Sequence, residues 1–321
     1  MKLLLKHWQA NPSCVKVLCS AVIVSFIFVS GAAVADDAAL HVLLTNDDGY
    51  DAPGITTMHK ALLDAGYKVT VVAPLNQQSG SSMRVTLGSI AAEQLSSDFW
   101  TVAGTPADAV AYALNKTLGG DLPDIVVSGS NFGQNLGSNT NLSGTVGAAI
   151  MATQHGVPAV AVSVGIDLAE RDAKPVRFPS TVDAFPAAAE FTVRVLRQLD
   201  EARAPGGALL PPNKVLNLNY PALPAAKIKG VHMTQVAIVG GFVGRFVETD
   251  ESGIIDIKLE KTDPNDDSVA YPDTKLFSNG FITVSVLDGR LGADQSDSDD
   301  MAGRLKKILG PSSPASTQLV P

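Results

Sequence analysis

Beyond residue 35 this chain has no cysteine, since Cys14 and Cys19 both fall in its first stretch. The remainder can therefore form no disulfide, offer no thiol nucleophile and hold no cysteine-ligated metal. Histidine is scarce, and His41, His59, His155 and His232 stand in segments that read as structural. No G-x-S-x-G elbow occurs, which argues against a serine hydrolase, and the lack of a P-loop or G-x-G-x-x-G leaves motor and dehydrogenase readings unsupported. Positive charge is also short. Three lysines precede residue 36, so 21 Lys and Arg face 32 Asp and Glu, a formal charge of −11 for the rest of the chain. Without a basic stripe, such a chain is not built to bind long nucleic acid through its phosphates. Glycine and proline are frequent but aperiodic, which excludes collagen and repeat arrays.

What is present begins with a separable leader. Lys2, Lys6, His7 and Lys16 precede a short apolar core, Val17 to Ser30, and Ala33-Val34-Ala35 is a small-x-small cleavage signal before Asp36. Residues 1–35 thus read as a secretory signal peptide, the alternative being an uncleaved anchor. The expectation is a periplasmic or secreted protein, cleaved near Ala35 and without a stable membrane anchor.

The most informative stretch is HVLLTNDDGYDAPGI, His41 to Ile55. A short apolar run breaks into Asn46-Asp47-Asp48-Gly49 and is followed by a helix-patterned segment from Ile55 to Ala65. That order is strand, loop, helix, and the carboxyl end of the first strand of an open α/β sheet is where ligands tend to bind. Adjacent carboxylates there resist ionising together, so a bound cation is the simplest way to keep both charged. The same residues also suit a plain tight turn.

Further strands are expected at Lys68–Ala73, Val85–Leu87 paired with Trp100–Val102, Ile125–Ser128, Pro158–Val164 and Val215–Asn219, with helices at Thr145–His155 and Asp183–Leu199. Between them lie polar loops on the same predicted rim. Leu75 to Ser82 is either part of that rim or an ordinary flexible loop. Gly104-Thr105-Pro106-Ala107-Asp108 reads as a helix cap. The run from Gly129 to Thr145 ends in Ser143-Gly144-Thr145, a phosphate cradle or a simple cap. The alternation predicts an α/β, Rossmann-like, doubly wound and mainly parallel sheet. Residues 36–221 would form this core and 222–298 a β-rich extension with the final sheet strand. Residues 299–321 would hold a short helix, Met301 to Leu309, and a disordered tail. Expected extension strands are Val231–Val236, Gly244–Glu248, Ile254–Leu259 and Phe281–Leu287, protruding as a hairpin or packing on a second subunit.

In order, LLTNDDGYDAPGI, APLNQQSG, GTPAD, VSGSNFGQNLG and SGTVGAA resemble the SurE family of metal-dependent nucleotidases, also described as survival-protein phosphatases. The likeness covers roughly His41 to Pro221, with a weaker echo at NLNYP and GFITVSVL. It implies one divalent cation per subunit (Mg, Mn or Ca), held by Asp47, Asp48, Ser79 and Asn131, an all-oxygen set suited to a hard ion. It implies Asp47, Asp48 and Asn131 as catalytic residues, with Asn46, Ser143, Gly144 and Thr145 on the phosphate. The implied activity is hydrolysis of nucleoside 5'- and 3'-monophosphates, with looser action on other small phosphomonoesters, in a homodimer or homotetramer. Three features depart from the family pattern. Leu142 stands where an aromatic residue or histidine is usual, Val284-Ser285-Val286-Leu287-Asp288 replaces S-x-T-P-L, and the family is generally thought of as cytoplasmic. The alternatives are an exported nucleotide- or phosphate-binding protein without turnover, for which the aspartate pair would be unnecessary, and a broad-specificity acid phosphatase.

Overall fold

The computed structural model describes residues 39–172, 177–265, 268–290, 292 and 295–309. The expected leader and the tail beyond Leu309 lie outside the described residues, as do two residues of the acidic stretch 263–267. The chain opens with β1 (His41–Thr45), α1 (Pro53–Asp64), β2 (Lys68–Pro74), β3 (Ala92–Ser96), β4 (Phe99–Val102) and α2 (Pro106–Tyr112). It continues through β5 (Ile125–Phe132), α3 (Gly144–Gln154), β6 (Ala159–Val164), α4 (Pro179–Ala202) and β7 (Lys214–Tyr220). Last come β8 (Val231–Thr234), β9 (Phe242–Glu248), β10 (Ile255–Lys261), α5 (Asp273–Ser278), β11 (Ile282–Asp288), α6 (Gln295–Arg304) and α7 (Lys306–Leu309).

Nine strands form one sheet in the order β3-β4-β2-β1-β5-β6-β7-β11-β8. The run β4-β2-β1-β5-β6-β7 is parallel throughout, as expected for a doubly wound fold. Strand β1 is buried at every position because helices cover both faces of the sheet, which is why its sequence reads as a continuous apolar run. Val42 and Leu44 join the core under α1 and α4, while Leu43 joins the one under α2 and α3. Alternation of side chains along the strand thus feeds two cores from one segment. Gly54 lets α1 approach β5, since a Cβ there would lie 1.9 Å from the Ser130 carbonyl oxygen.

Several expected boundaries are corrected. Val85–Leu87 is not a strand. Thr86 instead donates its backbone N–H (2.9 Å) and hydroxyl (2.6 Å) to Asp108, and the partner of β4 is the later segment β3. Strand β5 does not stop at Ser128: pairing with β6 resumes after an irregularity at Asn131 and Phe132. Helix α4 starts at Pro179, and the last helical region at Gln295, both earlier than their apolar spacing suggests. The strands near 231 and 282 do not protrude. β11 lies antiparallel to β7 and parallel to β8, extending the main sheet, and among the described residues only β9 and β10 form a separate ribbon.

Candidate active site

The carboxyl ends of β2, β1 and β5 are neighbours in the sheet, so the three loops leaving them meet on one rim. The loop after β2 is tied to the first aspartate, the Gln78 N–H donating to the Asp47 carbonyl oxygen at 2.6 Å. It is tied to the last rim segment too, because the Ser82 N–H reaches the Leu142 carbonyl (3.2 Å) and its hydroxyl that of Asn141 (2.7 Å).

Asp47 is nearly fully buried and receives the Thr145 hydroxyl at 2.6 Å. Burial pushes its pKa up, while that hydroxyl and the backbone N–H groups of Thr145 and Gly144 pull the other way. Those amides have no intrahelical acceptor because they open α3, so they turn to the Asp47 carboxylate at the positive end of the helix. Asp48 accepts the Phe132 N–H at 2.8 Å, next to Asn131. Its pKa is raised to about 7, first by burial and then by the charge on Asp47. Two carboxylates held in this way leave a local deficit of positive charge.

Asn131 is buried. Its amide donates to the Gly133 carbonyl at 2.6 Å, while its side-chain oxygen has no partner among the described residues. Asn46 repeats the pattern, donating to the Gly49 carbonyl at 2.7 Å with its side-chain oxygen unmatched among them. An unpaired buried carbonyl oxygen is costly, of order 1–3 kcal/mol, unless a ligand completes it. Carboxylates and an orphaned amide oxygen fit a hard cation. Among the described residues no group of three or more His, Cys, Asp or Glu could hold a metal ion, so any such site must draw on amide and hydroxyl oxygens.

The remaining expected residues divide. Ser143 caps α3 by accepting the Val146 N–H at 3.1 Å, and its hydroxyl proton is left to donate. The Thr145 hydroxyl is taken up by Asp47. Gly144 is required by close approach: a Cβ there would lie 2.6 Å from the Ser81 Oγ and 2.9 Å from the Asp47 Oδ2. Ser79 stands apart, exposed and one residue beyond the anchored Gln78, with its hydroxyl accepting from the Gln77 amide at 2.6 Å. Sequence reasoning missed Ser81, whose buried hydroxyl lies beside Asp47 with no partner among the described residues. Its signal was the Ser-Gly-Ser-Ser run, in which spacing alone does not say which hydroxyl turns inward. The histidines take other work: His41 pairs with Thr70 (2.9 Å), His59 packs on Phe99, and His232 on Phe281.

Fold and rim together define a doubly wound α/β protein with a paired-carboxylate site set against a helix N-terminus at the carboxyl edge of its sheet. Comparison with known proteins makes this specific. The family model described as Survival protein SurE matches residues 42–239, and the chain belongs to that family. It is 39% identical over 206 residues to a 5'-nucleotidase SurE of Thermosynechococcus vestitus, covering 62% of this chain and 70% of the relative. It is 33% identical over 261 residues to a 5'-nucleotidase SurE of Pseudoalteromonas atlantica, covering 81% and 97%. The solved SurE protein from Aquifex aeolicus aligns with TM-score 0.67 at 27% identity over 83% of this chain and 99% of that one.

Proposed function

We propose that this chain is a divalent-cation-dependent phosphomonoesterase that hydrolyses nucleoside 5'- and 3'-monophosphates to nucleoside and phosphate. The observation that carries the reading is the adjacent pair Asp47, buried against the start of α3, and Asp48, half-buried and held by the Phe132 N–H next to Asn131, whose side-chain oxygen is orphaned. Relatives named as 5'-nucleotidases support the substrate class. Asp47, Asp48 and Asn131 would hold the cation, with Ser79 as the fourth oxygen once its hydroxyl leaves Gln77. When bound, the cation supplies charge neutralisation at the phosphoryl group and acidifies the attacking water. The protein's own groups do the rest. The Ser143 hydroxyl and the positive end of α3, whose Gly144 and Thr145 amides also reach Asp47, orient phosphoryl oxygens. Thr145 and Phe132 fix the two carboxylates, one of which aligns the water in line with the leaving oxygen. Magnesium, manganese and calcium all suit this donor set. Export through residues 1–35 and assembly into a homodimer or homotetramer complete the proposal.

Purified protein should release phosphate from nucleoside monophosphates with manganese or magnesium and stop in excess chelator. Asp47→Asn should remove turnover by at least about 10³-fold while leaving the circular dichroism spectrum intact. Activity that persists in chelator would end the metal reading.

A further inference from the structure

A cavity of about 310 Å³ opens farther along the same rim, past the ends of β6 and β7 and under the base of the β9–β10 ribbon. Its walls include Leu136, Ile166, Phe242 and Phe277, and its polar lining includes the Gln134 amide, the Lys261 ammonium and the Asp167 carboxylate. Asp47 and Asp48 do not line it, yet the backbone at Gly133 links Asn131, at their site, to the cavity wall. The Asn131 amide holds the Gly133 carbonyl at 2.6 Å. A Cβ on Gly133 would lie 3.1 Å from Ile166 Cδ1, and Ile166 is a cavity wall. The Ile166 N–H donates to the Gln134 side-chain oxygen at 2.9 Å, which aims the outer amide group while leaving its N–H donors unassigned.

The chemistry matches a flat, weakly polar ring. Two half-buried phenylalanines offer faces for stacking, Leu136 and Ile166 offer apolar edges, Gln134 and Lys261 offer donors, and Asp167 offers an acceptor for an exocyclic amine. We propose that this cavity takes the base of the nucleotide substrate, with the phosphate on the Asp47–Asp48 side and the base on the Phe277 side. The proposal rests on the nucleotidase reading and assigns its specificity to residues far in sequence from the aspartates. Phe277 is part of α5 and Phe242 of β9, so recognition of the base depends on the late segments that extend the core.

The test compares wild type, Phe277→Ala and Phe277→Tyr. Its first readout is the ratio of kcat/KM for AMP to that for glycerol 2-phosphate, which has no base. Phe277→Ala should lower this ratio about tenfold, the worth of one stacking contact, and Phe277→Tyr should retain it. The second is calorimetric titration with adenosine alone, which should bind wild type saturably and weaken about tenfold in Phe277→Ala. An unchanged ratio in all three proteins, or no saturable adenosine binding to wild type, overturns the proposal. If wild type releases phosphate from neither ester, the nucleotidase reading fails, while the adenosine titration still decides the cavity.

Discussion

Asp48 is a carboxyl whose folded environment opposes its charge. Its pKa, raised to about 7 by burial and by Asp47, lies above the ordinary aspartate value of about 3.9 in the unfolded chain. Between these values the folded state keeps a proton that the unfolded state has lost. In the absence of a cation, stability therefore falls as pH rises from about 4 to about 7. Asp47 is shifted in the same direction. Thermal unfolding in chelator should show this decline, Asp48→Asn should make it shallower, and added manganese should remove most of it by pairing with the ionised carboxylates. An identical pH slope in wild type and Asp48→Asn would contradict the environment described for this residue.

At the scale of elements, the β9–β10 ribbon has two unlike faces. Register pairs Phe246 with Ile257 and Gly244 with Leu259, so that Phe246, Ile255, Ile257 and Leu259 share one face while Arg245, Asp256, Lys258 and Glu260 share the other. Phe246 is 74% exposed and Ile257 62%, a hydrophobic stripe on a ribbon outside the main sheet. An isolated two-stranded ribbon is marginal in water, and an apolar face of this kind marks a contact surface. This is the element that supports the proposed oligomer. Phe246→Asp should convert it to a smaller species in size-exclusion chromatography with light scattering. A wild-type protein that already elutes as a monomer would refute that assembly. The ribbon was legible in the sequence as strand spacing, but its separation from β8 and β11 was not. A strand joins the sheet whose edge it can reach, and only the position of β7 supplies an edge for β11, with β8 then adding to β11.

Among the described residues no helix is long and apolar enough to cross a membrane. The proposed export signal is tested by its product: amino-terminal sequencing of protein recovered outside the cytoplasm should begin at Asp36, and recovery of intact residues 1–35 would oppose cleavage there. Much of the core was already determined by the sequence itself. Continuous apolar strands alternating with amphipathic helices admit few arrangements other than a parallel sheet covered on both sides, because each face must be buried and each crossover has a fixed hand. Thr105 and Asp108 likewise form the reciprocal cap that their spacing announces, at 3.1 and 2.9 Å. Local chemistry of that kind needs no distant partner. Tertiary structure decided the rest: that Thr145 spends its hydroxyl on Asp47, that Phe132 rather than a loop residue steadies Asp48, and that Ser81 turns inward where Ser79 faces out. Such pairings join groups up to 98 residues apart. They depend on which strands lie side by side, and spacing along the chain carries no record of that.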